Sequence, residues 1–361
     1  MKILSVAGAS GGHIYPALAF LEALKSENAG IDSLLILPSR ALKPGLDLRG
    51  IRAQYIPSGQ LSLSLSRKGL LAALDNIKGF YASLRIILKF KPDAVVGFGS
   101  IDSVWLVVLA WFFRIKTVIH EQNVIPGRAN KLLAKFADKV AVSFPESKDY
   151  FKACGDKLAV TGNPLRPSLK RVDRAEALSF FGLQDANFTV LVMGGSQASS
   201  SINRAFIRAA AKVENRERLQ VIHLSGKDER ALVSAAYESA GIKDKVMDFL
   251  SAMEFAYSVA DLAVTRAGAT TVAELMYFRL PAIICPYPYA HEHQFANAKI
   301  LEDKGCALVI KESDLNADSL AQSLGRLISE GAELKKMASG FESFNAAGAA
   351  DRLKKQVLSL N

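Results

Sequence analysis

Short apolar runs alternate along the chain with longer segments of helical periodicity. Ile3–Ala7, Leu34–Leu37, Ala94–Phe98, Thr117–His120 and Val140–Phe144 are mainly apolar and bounded by turn residues. That is the pattern of strands buried on both faces of a parallel sheet. The series then restarts. Phe188–Met193, Leu219–Leu224, Val246–Phe249, Leu262–Thr265 and Ala282–Cys285 each precede a further helical pattern. The polar stretch Thr161-Gly162-Asn163-Pro164-Leu165-Arg166-Pro167 separates the two series and reads as a hinge. The pattern predicts an α/β chain of two doubly wound, Rossmann-like domains, with the ligand in a cleft at the carboxyl ends of the strands.

Composition narrows the class. The chain has 361 residues, more than one core usually serves, and half of them are hydrophobic. Cys154, Cys285 and Cys306 lie far apart without CxxC spacing, which fits a reducing compartment and argues against a disulfide framework or a zinc site. The first apolar run breaks at Gly8, too soon for a signal-peptide core. The most apolar stretch, Val104–Phe113, has 10 residues, where a membrane-spanning helix needs about 20. A soluble protein with peripheral membrane contact is expected.

Net charge is +10 and uneven: residues 1–162 carry 21 Lys and Arg against 12 Asp and Glu, the remainder 24 against 23. A basic half calls for an anionic partner, nucleic acid or membrane. Residues 67–91 hold six cations and one acid, Asp75, with Leu70, Leu74, Ile77, Phe80, Tyr81, Leu84 and Leu88 at helical spacing. Two readings are open: a helix packing on the sheet, or an interfacial face flanked by cations for anionic lipid, which Trp111-Phe112-Phe113-Arg114 could extend. Aromatic and basic residues do not alternate as a nucleic-acid stacking platform requires.

The chemistry concentrates at strand ends. The first strand runs into Gly8-Ala9-Ser10-Gly11-Gly12-His13 and then a helical pattern. Glycines permit a sharp turn and close ligand approach, and the free N–H groups of a helix start favour anions. The spacing is neither GxGxxG nor a Walker loop. The second series opens alike, with Gly194-Gly195-Ser196-Gln197, and a third turn, Arg266-Ala267-Gly268-Ala269-Thr270-Thr271, follows Leu262–Thr265. Two such loops in one domain point to a nucleotide diphosphate. Glu274, in the helix that follows, is either an acid stabilised by the helix dipole or a carboxylate for ribose hydroxyls.

His13 stands at a helix N-terminus beside the first loop, a position that disfavours a cation and suits a general base; a capping or packing histidine is the alternative. His120-Glu121-Gln122-Asn123 also emerges at a strand end. In His291-Glu292-His293 the alternate spacing turns the two rings apart on a helix and no third ligand is evident, which argues against a metal. His223 is mid-strand and structural. There is no GxSxG elbow, so a serine hydrolase is not supported.

Together these residues resemble the MurG family, the UDP-N-acetylglucosamine:N-acetylmuramyl-(pentapeptide) pyrophosphoryl-undecaprenol N-acetylglucosamine transferases. The resemblance covers nearly the whole chain. It rests on Gly11-Gly12-His13-Ile14-Tyr15-Pro16-Ala17-Leu18, His120–Asn123, Gly162-Asn163-Pro164-Leu165-Arg166, Gly194–Gln197, Gly268-Ala269-Thr270-Thr271-Val272-Ala273-Glu274 and His293-Gln294-Phe295-Ala296-Asn297-Ala298, in that order. It implies the GT-B fold. Residues 1–162 would be the acceptor and membrane-association domain, with 342–361 packing back on it, and 163–341 the UDP-sugar domain.

The resemblance further implies inverting transfer from UDP-N-acetylglucosamine to the 4-hydroxyl of the muramyl sugar of the undecaprenyl-linked pentapeptide, in peptidoglycan synthesis. The protein would sit peripherally on the cytoplasmic face of the bacterial inner membrane, with other cell-wall synthesis proteins as further partners and no nucleic acid. No cofactor is required, although Mg²⁺ could assist the diphosphate. Carried over, Ser196 and the Gly194-Gly195 turn would serve the phosphates, with Arg166 nearby, and Ala269, Thr270, Thr271, Val272 and Ala273 would bind the donor. Glu274 would hold the ribose and Leu250 would present backbone groups to the uracil. Gln294, Asn297 and Asn123 would contact the donor sugar, and Ser10, Gly11 and Gly12 would lie near the diphosphate and acceptor. His13 is expected to be the base, or the group that orients it, with Glu121 and Asp102 as rivals.

Three departures stand out. The first loop has Ala9-Ser10 where the family has Gly-Thr. Ala198-Ser199 stands where Gly-Ala usually follows Ser-Gln. Gly99-Ser100-Ile101-Asp102-Ser103 replaces Gly-Gly-Tyr-Val-Ser and bears on the acceptor side. The rival readings are a diacylglycerol glycosyltransferase of the same fold, a sugar-nucleotide 2-epimerase and a non-catalytic membrane-associated scaffold.

Overall fold

A computed structural model describes residues 1–27, 30–41, 47–58, 67–195, 197–214, 216–290 and 292–360. The chain divides into two compact units, Met1–Pro167 with Gly348–Asn361, and Ser168–Ala347.

The strands of the first unit are β1 (Lys2–Val6), β2 (Asp32–Pro38), β3 (Ala53–Ile56), β4 (Ala94–Gly97), β5 (Lys116–Glu121), β6 (Lys139–Val142) and β7 (Leu158–Val160). Among the described residues they form one sheet in the order β3-β2-β1-β4-β5-β6-β7, every pair parallel. Its helices are α1 (Gly11–Glu27), α2 (Arg67–Phe90), α3 (Val104–Phe112) and α4 (Arg128–Leu133). Leu4 pairs with Leu34 on one side and Val95 on the other. Successive residues of β1 enter opposite cores. Ile3 packs with Ile14, Leu18 and Leu21 of α1. Leu4 and Val6 pack with Ile86 and Ile87 of α2 and Leu106 and Val107 of α3. Helices on both faces are why the strand reads as an unbroken apolar run.

The second unit repeats the plan with β8 (Phe188–Met193), β9 (Leu219–Leu224), β10 (Lys243–Met247), β11 (Leu262–Thr265), β12 (Ala282–Ile284) and β13 (Ala307–Val309), all parallel, in the order β10-β9-β8-β11-β12-β13. Its helices are α5 (Arg174–Phe181), α6 (Ser200–Ala210), α7 (Arg230–Ala240), α8 (Met253–Val259), α9 (Ala269–Phe278), α10 (His293–Asp303), α11 (Ala317–Ser329) and α12 (Gly331–Gly340). The last helix, α13 (Ala349–Leu358), returns to the first unit, where Leu353 and Val357 join the core under α1.

The strands that the sequence pattern omits or shifts are edge strands. β3, β7 and β13 carry no long apolar run, and β10 begins at Lys243 instead of Val246. Edge strands are half-wetted, so their residues need not be apolar throughout. In each sheet the strand order reverses at one point, between β1 and β4 and between β8 and β11. Ligands of doubly wound sheets bind outside the carboxyl ends at such a point. The loops after these four strands include the Gly8–His13, Gly99–Ser103, Gly194–Gln197 and Arg266–Thr271 segments.

Candidate active site

In the first unit three loops meet at His13. After β1 the chain turns through Gly8 and enters α1, with the Ser10 carbonyl accepting from the N–H groups of His13 and Ile14 at 3.0 Å each. The imidazole lies against two glycines. A Cβ on Gly8 would stand 2.8 Å from its Cδ2, and one on Gly99, whose φ is +78°, would stand 3.3 Å from its Cε1. A side chain at Gly8 would collide with Ser100 and the ring, and one at Gly99 would press on the ring edge. The third loop, after β5, supplies Gln122, whose Oε1 lies 3.0 Å from His13 Nδ1. Behind it Gln122 Nε2 is 3.1 Å from His120 Nδ1. No partner of His13 Nε2 occurs among the described residues.

The two rival bases are committed elsewhere. Glu121 is buried and accepts from the N–H groups of Asn123 (2.9 Å) and Gly127 (3.1 Å) and the amides of Asn123 (3.3 Å) and Asn130 (2.8 Å). It ties down the loop that carries Gln122. Asp102 takes both oxygens to Arg40 at 2.7 Å and also accepts from Ser58 and Ser100. Its side chain is 1% exposed. Both carboxylates are loop anchors, and neither offers an open oxygen to a substrate. Ser100, where the family has glycine, sits at φ +69°, ψ +157°, a region that favours glycine, and its hydroxyl bond to Asp102 offsets part of that strain. Ser10 and Gly12 are exposed and Gly11 half-buried at the start of α1. Arg166 stacks its guanidinium 5.3 Å from the centre of the Tyr15 ring.

In the second unit the β8 loop folds back tightly. A Cβ on Gly194 would fall 2.2 Å from the Ser199 nitrogen, and Gly195 has φ +82°. Ser199 caps α6 by accepting from the Ile202 N–H. Ser196 lies outside the described residues. Ala198, the departure from glycine, has φ +55°. The left-handed region costs an L-residue about 1–2 kcal/mol, and glycine gives back about 0.5–1 kcal/mol of that as extra chain entropy. Ala198→Gly is therefore expected to raise the melting temperature by about 1–3 °C. An unchanged or lower melting temperature would contradict the strain.

Arg266 joins the two glycine turns. Its guanidinium donates to the Cys285 and Pro286 carbonyls (2.9 and 3.4 Å), to the hydroxyls of Ser199 and Ser201 (2.8 Å each) and to Glu312. The sequence placed it in the turn without revealing this anchoring role; the available signal was a lone arginine directly after a buried strand. The turn it begins opens α9, whose N-cap is Gly268 with no side-chain cap. The first N–H groups of that helix have no acceptor within it. The Thr270 hydroxyl is buried without a partner among the described residues.

Several expected contacts change character. Gln294 Oε1 accepts from the N–H groups of Ala267 (3.1 Å) and Tyr287 (3.0 Å), so its amide orientation is set by the backbone and its NH₂ is what remains to donate. Asn297 has no exposed surface, and its amide holds the Ala267 carbonyl at 3.1 Å. It supports the turn. Val272 is buried with its N–H on the Gly268 carbonyl, and Ala273 is buried too. Glu274 receives the Tyr257 hydroxyl at 2.7 Å, a partner the sequence did not reveal. The Leu250 side chain is buried, while its N–H and carbonyl make no backbone bond among the described residues. Asn123 is half-buried, with its amide on Glu121.

Of the other histidines, His223 lies between the Tyr237 hydroxyl (2.7 Å) and Asn203 Oδ1 (3.0 Å), and burial pushes it down to about 3. It is a core group. His291 lies outside the described residues, and His293 opens α10. Among the described residues no three His, Cys, Asp or Glu side chains group to hold a metal.

Known proteins share this arrangement. Residues 3–142 match the glycosyltransferase family 28 N-terminal domain and residues 189–353 the family 28 C-terminal domain. A UDP-N-acetylglucosamine–N-acetylmuramyl-(pentapeptide) pyrophosphoryl-undecaprenol N-acetylglucosamine transferase of Halothermothrix orenii is 39% identical over 356 residues, covering 94% of this chain and 93% of that one. The crystal structure of Acinetobacter baumannii MurG aligns with a TM-score of 0.77 at 26% identity, over 99% of this chain and 100% of that one. A UDP-GlcNAc 2-epimerase from Neisseria meningitidis aligns at a TM-score of 0.70 with 16% identity, over 99% and 100% of the two chains, a likeness of fold alone. With two units matched to the N- and C-terminal domains of family 28 and a GT-B fold, the chain belongs to the UDP-N-acetylglucosamine–N-acetylmuramyl-(pentapeptide) pyrophosphoryl-undecaprenol N-acetylglucosamine transferases, the MurG family.

Proposed function

We propose that this chain transfers N-acetylglucosamine from UDP-N-acetylglucosamine to the 4-hydroxyl of the muramyl sugar of undecaprenyl-pyrophosphoryl-N-acetylmuramoyl-pentapeptide. The carrying observation is that a relative named for this transfer matches over nearly the full length of both chains, so donor and acceptor halves are matched together. The epimerase shares the fold at far lower identity.

The donor site is built on the second unit. The Leu250 backbone pairs with the uracil, and Glu274, steadied by Tyr257, takes the ribose hydroxyls. The N-termini of α6 and α9, with Gly195, Ser196, Ala269, Thr270 and Thr271, receive the diphosphate and the charge that develops on it. The Gln294 amide donates to the sugar, and Arg266 and Asn297 hold the turns in place. On the first unit His13 removes the acceptor proton. The acceptor oxygen bonds to the anomeric carbon, the bond from that carbon to the diphosphate breaks, and UDP leaves with the electron pair. The proton on His13 then passes to water. No step needs a metal, although Mg²⁺ could assist the leaving diphosphate.

Membrane association completes the proposal. No helix of the described residues is long and apolar enough to cross a membrane. The periodicity of α2 serves both readings of the sequence. Ile86 and Ile87 face the core, while Leu74, Ile77, Tyr81 and Leu88 are exposed. Lys78, Arg85 and Lys89 share that outer face. A shallow groove there is lined by Tyr81, Leu84, Arg85, Leu88 and Lys89. The adjacent α3 exposes Trp111 and Phe112, followed by Phe113. An apolar stripe among cations fits an anionic bilayer surface, such as the cytoplasmic face of the inner membrane, and other cell-wall synthesis proteins could gather at the same surface. Burying one such side chain is worth about 1.5–3 kcal/mol. Ile77→Glu with Leu88→Glu should therefore weaken binding to phosphatidylglycerol vesicles at least about 10-fold, and equal co-sedimentation would remove α2 from the interface.

The activity is tested by transfer from radiolabelled UDP-N-acetylglucosamine to the muramyl-pentapeptide lipid, beside diacylglycerol and no-acceptor controls. Label in the muramyl lipid is expected. Label only in diacylglycerol would move the chain to the rival transferase, and bound donor with no transfer would favour a scaffold or an epimerase.

A further inference from the structure

A chain of side chains runs from His13 to a backbone carbonyl 42 positions beyond His120. His13 Nδ1 meets Gln122 Oε1 at 3.0 Å, Gln122 Nε2 meets His120 Nδ1 at 3.1 Å, and His120 Nε2 meets the Gly162 carbonyl at 3.0 Å. His120, Gln122 and the Gly162 carbonyl all lie in the first unit with His13. His120 and Gln122 are buried, at 0% and 1% exposure.

The direction of every proton in this chain follows from two carbonyls, which can only accept. The Gly162 carbonyl requires His120 to carry its proton on Nε2. Burial is the main influence on His120 and, against the Gly162 bond and with the nearby His13 charge, brings it down to about 4, so the ring is neutral at physiological pH. A neutral ring with its proton on Nε2 must accept at Nδ1, so Gln122 turns its NH₂ that way. The second anchor agrees independently: the same NH₂ lies 3.2 Å from the His120 carbonyl. Gln122 therefore presents only its oxygen to His13, and His13 must donate from Nδ1. The glycines at 8 and 99 hold the ring edge in place.

We infer that Gln122 is a positioning residue that, anchored through His120 on the Gly162 carbonyl, holds neutral His13 as the Nδ1–H tautomer and so makes Nε2 the atom that accepts the acceptor proton. The inference rests on the transferase reading for its consequence, while the tautomer itself is a property of the resting protein. An imidazolium formed in the reaction keeps its Nδ1–H on the Gln122 oxygen, so no group has to reorient as the proton arrives. The sequence shows none of this, because Gln122 differs from any polar loop residue only by what it meets in space.

The test is nitrogen NMR on the full chain. It contains five histidines, and with ¹⁵N-labelled imidazoles the two-bond couplings report which nitrogen carries the proton. The His13 signals are assigned by their loss in His13→Asn and read at a pH where the ring is neutral. The expected result is Nδ1–H in the native protein and its loss in Gln122→Leu. In that variant kcat should fall about 10²-fold, the effect of misplacing a catalytic group by about 1 Å, with KM for UDP-N-acetylglucosamine unchanged. Gln122→Glu keeps an acceptor oxygen facing His13 and should restore the Nδ1–H, but its second oxygen then meets the lone pair of His120 Nδ1 and the His120 carbonyl, so only part of the rate should return. A native protein with His13 protonated at Nε2 would overturn the inference whatever its activity. An Nδ1–H tautomer in an enzyme that keeps its rate as His13→Asn would instead refute His13 as the base and leave the relay standing.

Discussion

His13→Asn is expected to lower kcat for transfer to the muramyl lipid by about 10²–10⁴-fold, the usual contribution of a positioned general base. Affinity for UDP-N-acetylglucosamine should be little changed, because Leu250, Glu274 and the helix starts proposed to hold the uracil, ribose and diphosphate belong to the other unit. Isothermal titration with the donor, beside single-turnover transfer, separates the two quantities. Glu121→Gln and Asp102→Asn provide the contrast. Glu121 receives four hydrogen bonds, and a glutamine would direct an NH₂ at some of those donors. Asp102 would lose half of its paired contact with Arg40. Both variants should therefore melt earlier, since they loosen the loops around His13, whereas His13→Asn should melt near the native temperature. Near-normal turnover in His13→Asn would sink its assignment as the base.

What the sequence made legible divides along physical lines. Runs such as Ile3–Ala7 and Val190–Met193 were legible because strands covered on both faces must be apolar throughout. β3, β7, β10 and β13 were missed or misplaced because each is an edge strand, where one side is wet. The periodicity of α2 announced a helix but not its orientation: its apolar residues divide between core and surface, and only packing decides which go where. In the site, glycines and His13 were visible because tight turns restrict residue type locally. The roles of Gln122, Arg266 and Tyr257 were not, since their partners lie 109 positions away for Gln122 with His13 and 46 for Arg266 with Glu312, or on a separate helix for Tyr257 with Glu274. Asn297 and Gln294 were read as sugar contacts from their motif. Burial and two backbone N–H groups turn the one into a support and fix the direction of the other.

Arg266→Ala should be the most damaging change in the second unit outside its hydrophobic core. The arginine side chain is 8% exposed and its partner Glu312 27%. Removing one member of a buried pair costs about 3–5 kcal/mol, and the partial exposure of Glu312 places this case near 3 kcal/mol. At about 2–4 °C per kcal/mol for a unit of this size, melting should fall by about 6–12 °C. Donor affinity should fall with it, because Ser199 and Ser201 lose the donor that ties the start of α6 to the turn before α9. Arg266→Lys keeps the charge but not the fork, and should lie between. Acid gives a second signature. Burial pushes the Glu312 carboxyl up, but the bonds from Arg266 and Ser201 and the Arg266 charge outweigh it and hold the group below its ordinary 4.5. A depressed carboxyl adds stability that is complete above 4.5 and is lost as pH falls through the lower folded value. In Arg266→Ala burial acts without its main opponent, so that acid-side loss should disappear and the two melting curves should converge as pH falls. Equal melting temperatures at neutral pH, or a gap that widens in acid, would show that the pair does not hold the two turns together.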